Sequence, residues 1–262
     1  MTLTTVQLDR ACGVLLGTAA GDALGAAYEF GPPRGPNLEV AMVGGGSFGW
    51  EPGEWTDDTS MATAIAEVAA TGADLRQEAV LDAIARRWHE WSQRAKDVGV
   101  QTRSVLSRAG RHGISAQAAR TESAALHNRT GRTAGNGSLM RTAPLALAYL
   151  DDEAALVAAA RAVSELTHYD PEAGDACVLW CCAIRHAILT GVLDESGCGT
   201  SPLSGGICGH RGWTPRKRRS PLTSPTTAGL LKRCRLRGAR SRQRPFRRMN
   251  RLREPSASIT CA

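Results

Sequence analysis

Strand signals are nearly absent from this sequence. No stretch alternates β-branched and polar residues over a useful length, and aromatic residues make up only 5% of the chain, which excludes a sheet-built class and leaves an all-α fold. The N-terminus, M-T-L-T-T-V-Q-L-D-R, lacks a basic segment followed by a long apolar core, so neither a signal peptide nor a transmembrane helix is indicated. The eight cysteines lack the spacing of an extracellular disulfide framework. Cys12, Cys177, Cys181 and Cys182 sit in helical patterns, while Cys198, Cys208, Cys234 and Cys261 are scattered, so a reduced, cytoplasmic setting is expected. Cys198, Cys208 and His210 match no standard zinc spacing and have no evident fourth ligand.

Acidic residues are the next scarcity, and they divide the chain. After Leu193 there are 16 Lys and Arg against only Asp194, Glu195 and Glu254, whereas residues 1–193 carry a small acidic excess. Helical periodicity also stops there and gives way to Gly, Pro, Ser and Arg. The expected organisation is a helical domain over residues 1–193 and a basic, low-order tail over residues 194–262. An out-of-frame reading of a gene whose true end encoded more helices explains both changes at once. A nucleic-acid-binding arm and a natural disordered extension are the alternatives. Trp213 and Phe246 are the tail's only aromatics, which gives little support to base stacking.

What is present before Leu193 is a succession of helical patterns. Thr4 or Thr5 caps a first helix that ends near Gly21 and Gly25. Glycines and prolines then crowd residues 31–49, so Glu29 stands at the mouth of a long irregular segment. An alanine-rich helix follows Asp58 and ends at Gly72. Further patterns cover residues 76–94, where Val80, Leu81, Ile84, Trp88 and Trp91 form the apolar face, and residues 101–109, 139–150, 153–166 and 172–190. Pro144 is expected to kink or start a helix.

One run stands out chemically. W-T-D-D-T-S-M, residues 55–61, sets two adjacent carboxylates between two hydroxyls at a helix start. Hard oxygens at this density suit Mg²⁺, which keeps several waters and needs few protein ligands. The competing reading is an N-cap, in which Thr56, Asp57, Asp58 or Thr59 satisfies the free N–H groups of the first turn. In the same way Gly135, Asn136, Gly137 and Ser138 are either an ordinary Asn-Gly turn or an anion cradle of backbone N–H groups. Met140 and Arg141 then pack or pair beneath it. Asp22 orients the first helix or belongs to a buried network. Asp97 caps the next helix or faces a ligand, and His168 is a helix-start histidine or a ligand contact.

Four motifs in this order, G-D-A-L-G-A-A-Y-E-F, W-T-D-D-T-S-M, G-N-G-S-L-M-R-T-A-P-L-A-L and L-T-H-Y-D-P, closely resemble the ADP-ribosylglycohydrolase family, including the dinitrogenase reductase-activating glycohydrolases. The resemblance implies an orthogonal helical bundle that hydrolyses the bond between ADP-ribose and a modified protein or small acceptor. It implies two Mg²⁺ or Mn²⁺ ions, with Thr56, Asp57 and Asp58 as metal ligands and Glu29, Asp57 and Asp58 as catalytic groups. It places Asp97 at the distal ribose, the turn of Gly135, Asn136, Gly137 and Ser138 at the diphosphate and ribose, and His168 against ADP-ribose. The family's other metal half-site, an Asp-x-Asp-Thr segment near the C-terminus, has no counterpart among residues 194–262. The expectation is therefore a truncated glycohydrolase of impaired activity. An inactive ADP-ribose-binding module and a nucleic-acid-associated helical protein are the other readings.

Overall fold

The computed structural model describes residues 2–193 apart from Pro33, Arg34, Pro36 and Leu38, with the side chain of His112 also left aside. Its regular elements are helices: α1 (Thr5–Gly25), α2 (Asp57–Ala69), α3 (Glu78–Ser92), α4 (Val100–Ala109), α5 (Ala116–Thr130), α6 (Ala143–Ala148), α7 (Glu153–Glu165) and α8 (Pro171–Thr190). The nearest thing to a strand among the described residues is one antiparallel bridge, Gly45 to Trp50. The all-α expectation holds.

Local chemistry sets the ends. The Thr4 hydroxyl accepts from the Gln7 N–H while the Gln7 side chain accepts from the Thr4 N–H, a reciprocal box that opens α1. Asp152 and Asp170 cap α7 and α8. Left-handed glycines end two helices, Gly131 after α5 and Gly191 after α8. Pro144 falls in the first turn of α6, so the pattern expected over residues 139–150 divides into a 3₁₀ turn, Leu139–Arg141, and a short helix.

Helix α5 was not expected. Its sequence, A-Q-A-A-R-T-E-S-A-A-L-H-N-R-T, buries only Ala116, Ala119 and Ser123, so it offers alanine propensity but no large apolar stripe. Asp82 on α3 accepts from the Ala116 N–H, and Arg120 pairs with Glu78, so contacts from α3 fix a helix that its own pattern does not announce.

The main core gathers Met61, Ile65, Leu81, Ile84, Trp88, Leu106, Leu145, Leu156, Val163 and Leu166, with Cys177 and Cys181 from α8. At roughly 1.5–3 kcal/mol per fully buried large apolar side chain, this cluster dominates the stability of the described region. Helices α1 and α8 are each long and apolar enough, by length and composition alone, to cross a membrane. The terminal pattern had suggested no such segment. Core helices have the same property, and α8 packs against α6 and α7. Helix α1 buries only Ala11 and Ala23, and Val6, Leu8 and Leu16 on it are exposed.

Candidate active site

Asp22 determines how the W-T-D-D-T run is presented. Thr56 occupies the N-cap position of α2, yet its side chain makes no capping bond. The cap comes instead from α1. Both oxygens of Asp22 accept from the Thr56 N–H at 3.0 Å, and Oδ2 accepts from the Thr59 N–H at 3.0 Å and the Thr59 hydroxyl at 2.6 Å. Thr56 Oγ1 donates to Asp22 Oδ1 at 2.8 Å. The Thr56 and Thr59 N–H groups at the start of α2 are thus satisfied by a carboxylate from another helix.

Those two carboxylates diverge, as adjacent helical positions must. Asp57 is buried, and its Oδ2 accepts from the Gly99 N–H at 3.2 Å ahead of α4. Burial raises its pKa against that hydrogen bond, with Asp22 adding repulsion. Asp58 is half-buried, and burial together with Asp22, Asp57 and Glu29 pushes its pKa up to about 7. Burial and then repulsion from Asp57 raise Asp97 despite nearby Arg103. Burial and then Asp97, Asp57 and Asp22 raise Glu29. Glu29, Asp57, Asp58 and Asp97 therefore share one electrostatic environment. Asp97 does not cap α4, whose N-cap is Gly99 without a side-chain bond.

Glu29 is exposed and follows a 3₁₀ turn, Ala26–Tyr28. The segment is tethered on both sides. Tyr28 donates its hydroxyl to the Ala41 carbonyl at 2.7 Å and accepts from the Ala41 N–H. Phe30 holds a left-handed φ of 61°, rare for a bulky residue, with its ring edge-on to Phe48 at 5.9 Å. Gly46, also left-handed, lies where a Cβ would come within 3.1 Å of the Ala27 carbonyl, so the glycine loop can close onto the turn that carries Glu29.

On the other side lies the 135–138 turn. A Cβ on Gly99 would stand 3.7 Å from Asp57 Oδ2 and 3.9 Å from Thr102 Oγ1, and one on Gly137 would stand 3.5 Å from the same Thr102 hydroxyl. The start of α4 is therefore the bridge between acidic cluster and turn. Gln101 reinforces it by donating to the carbonyls of Thr133 and Thr167. His168 is buried beneath the turn, where a Cβ on Gly137 would meet its Nε2 at 3.0 Å. Burial, then the charge of Arg141, depresses the His168 pKa to about 3, so the ring is neutral. Gly135 and Asn136 are exposed, Ser138 is fully buried, and a cavity of about 350 Å³ opens beside them. The structure thus brings the acidic residues, the turn and His168 to one region around the start of α4. A second cavity of about 490 Å³, lined by residues including Trp50, Trp55, Thr56, Trp91 and Asp97, borders the acidic cluster.

Arg141 is the residue whose importance the sequence understated. It is fully buried, stacks on Trp88 at 4.0 Å, and donates to the Val163 carbonyl at 3.1 Å and Thr167 Oγ1 at 2.8 Å. Its Nε has no partner, and burial lowers its pKa to about 9. Its place beneath the turn is as expected, but its partners Trp88, Val163 and Thr167 are distant in sequence and leave no local signal.

The oxygens suit a divalent cation in kind. With its proton held by Asp22, Thr56 Oγ1 retains lone pairs for a cation, and none of the four clustered acids has an ion-pair partner within 4 Å among the described residues. Among those residues, however, no three His, Cys, Asp or Glu side chains converge tightly enough to cage an ion. The donors fit one side of a coordination shell, and the remaining positions fall to water, substrate or groups outside the described residues.

Comparison with known proteins places the chain in a family. The sequence model of the ADP-ribosylglycohydrolase family matches residues 3–231. The chain belongs to the ADP-ribosylglycohydrolase family. The match continues beyond Leu193, into residues outside those described, as do the zinc and nucleic-acid readings placed on the tail. ADP-ribosylarginine hydrolase Tri1 of Pseudomonas putida (strain GB-1) is 37% identical over 193 residues, covering 71% of this chain and 49% of that protein. ADP-ribosyl-[dinitrogen reductase] glycohydrolase of Rhodospirillum rubrum is 34% identical, covering 69% of this chain and 58% of that one. A solved ADP-ribosylglycohydrolase-related protein complex superposes with a TM-score of 0.53 at 34% identity, covering 71% of this chain and 58% of its own. The chain spans about half the length of the curated relatives it matches.

Proposed function

We propose that this protein is a divalent-metal-dependent hydrolase that releases ADP-ribose from modified arginine on a protein or small acceptor. The observation that carries this reading is the joint environment of Glu29, Asp57, Asp58 and Asp97 beside a glycine turn, in a chain of this family. The arginine linkage comes from relatives named for it. Thr56, Asp57 and Asp58 would hold Mg²⁺ or Mn²⁺ on one side. When bound, the metal supplies charge neutralisation and Lewis-acid polarisation at the ribose.

The protein's own groups do the rest. Asp22 holds the Thr56 and Thr59 hydroxyls and fixes the direction of the α2 start. Asp97 faces the ribose hydroxyls, while Glu29, exposed and with its pKa raised by partial burial and by Asp97, manages the proton of the attacking water. The reacting carbon takes on oxocarbenium character as the C–N bond to the guanidinium breaks. Gly135, Asn136, Gly137 and Ser138 present backbone to the diphosphate and ribose, with His168 beneath. The cysteine pattern supports a cytoplasmic location.

The second metal half-site, an Asp-x-Asp-Thr segment, does not occur in the 262 residues. The second reading is a catalytically inactive ADP-ribose-binding module. Incubating the chain with an ADP-ribosylarginine peptide and Mg²⁺ or Mn²⁺ distinguishes the two. Slow, metal-dependent release of ADP-ribose, abolished in Asp57→Ala, is expected, as is recovery when an Asp-x-Asp-Thr-bearing segment is supplied. Binding of ADP-ribose without any release supports the module. Chelator-insensitive release, or no affinity for ADP-ribose, rejects the metal-dependent reading.

A further inference from the structure

A chain of hydrogen bonds runs from the buried Arg141 to the ligand side of the 135–137 turn. Arg141 Nη2 donates to Thr167 Oγ1 at 2.8 Å, and an arginine can only donate. Thr167 Oγ1 lies 2.8 Å from His168 Nδ1. Thr167 is fully buried, and no other acceptor within hydrogen-bonding distance of its hydroxyl occurs among the described residues. If His168 carried its proton on Nδ1, Thr167 would accept twice and its own proton would be buried without a partner. The economical arrangement has Arg141 donating to Thr167 and Thr167 donating to Nδ1. The ring proton then sits on Nε2.

Nε2 points at the turn. It has no hydrogen-bond partner among the described residues, on a side chain 1% exposed, and the Cβ positions of Gly135 and Gly137 would lie 3.6 and 3.0 Å from it. Glycine at 137 keeps a Cβ from crowding the nitrogen, whereas one at 135 would make only ordinary contact. We propose that Arg141 and Thr167 are positioning residues that lock His168 in the Nε2–H tautomer, so that it offers one fixed donor through the glycine turn to an acceptor oxygen of the diphosphate or ribose. This rests on the reading of the region as an ADP-ribose site. It adds that His168 serves as donor only: burial beside Arg141 keeps the ring neutral, and the Thr167 hydroxyl occupies its other nitrogen. Acceptor oxygens are selected over donors, and no proton is exchanged.

Nitrogen-15 NMR of the full chain labelled at histidine reads the tautomer directly. The expected result in the free protein is a protonated Nε2 and a bare, hydrogen-bonded Nδ1 on His168, unchanged in Thr167→Ser. In Thr167→Val the Nδ1 resonance is expected to move to that of an unbonded nitrogen, with ADP-ribose affinity falling about tenfold, the size of one well-placed hydrogen bond to a charged group. Thermal melts confirm that both variants fold, and the serine variant restores affinity if the valine variant is strained. Protonated Nδ1 in the wild type, or a Thr167→Val spectrum matching wild type, overturns the tautomer lock. Added ADP-ribose is expected to shift Nε2, and binding that leaves Nε2 unmoved overturns the assigned ligand contact. Failure of ADP-ribose to bind at all, with the tautomer as stated, removes the ADP-ribose reading instead and leaves the lock standing.

Discussion

The two sides of the cleft handle buried charge in opposite ways. Around Asp57 and Asp58 several carboxylates raise one another's pKa and have no ion-pair partner within 4 Å among the described residues. Around Arg141 a single cation is buried more deeply, yet protein groups meet it: the Val163 carbonyl, the Thr167 hydroxyl and the face of Trp88. One side carries a charge imbalance that an external cation would relieve, and the other is closed and rigid. The difference is that the acidic side gathers like charges that repel one another, whereas the basic side holds one charge among neutral acceptors and a ring face, with Nε left without a partner.

The largest effect is expected on the closed side. Arg141→Met removes two hydrogen bonds and the stack on Trp88, leaves Thr167 and Val163 short of a donor, and is expected to cost about 3–5 kcal/mol in chemical denaturation. A loss below about 1 kcal/mol would show that this side is not the scaffold.

Gly137→Ala comes next. A Cβ there would lie 2.9 Å from His168 Cε1, and the strain is expected to cost about 1–3 kcal/mol, together with most of the affinity for ADP-ribose measured by calorimetry.

On the open side the sign reverses. Asp58→Asn removes one of the mutually repelling charges and is expected to stabilise the metal-free protein at pH 8 by on the order of 1 kcal/mol, after allowance for its partial exposure, while abolishing any stabilisation by Mg²⁺. Its folded pKa is about 7, above the unfolded value, so the favourable contribution is complete below about pH 4 and is lost as pH rises through 7. His168 runs the other way. Its folded pKa of about 3 is depressed, so its contribution is complete above about pH 6.5 and is lost as pH falls toward 3. The two slopes oppose each other between about pH 4 and 6.5. Denaturation of Asp58→Asn across that range is expected to show stability climbing more steeply with pH than in wild type.

The smallest effect is expected at the rim. Lys96 follows Ala95 into the acidic region, but its ammonium pairs with Glu54 at 2.8 Å and lies over the Trp50 ring at 5.2 Å. Lys96→Ala is expected to change stability by less than about 1 kcal/mol and to leave metal response unchanged.

Much of this was legible beforehand, for physical reasons that differ by residue. The Thr4 cap of α1 and the Asp-Pro start of α8 are local events, encoded within a few residues of one another. The candidate site residues stood in compact motifs for the same reason. The role of Asp22 was only half legible, because capping α2 requires a partner 34 residues away, a distance no local pattern reports. Helix α5 escaped because its stabilising contacts, Asp82 and Glu78, belong to α3. The bond from Thr167 to His168 joins neighbours, but what gives it direction is Arg141, 26 residues away.

The claim that the open side is a cation half-site has a direct test in Mn²⁺ titration of the full chain, followed by the electron spin resonance of the free ion. The account predicts saturable binding in wild type that strengthens when ADP-ribose is present and disappears in Asp57→Asn and Asp58→Asn alike. Equal binding in wild type and both variants would contradict it, and so would no binding in wild type with ADP-ribose present.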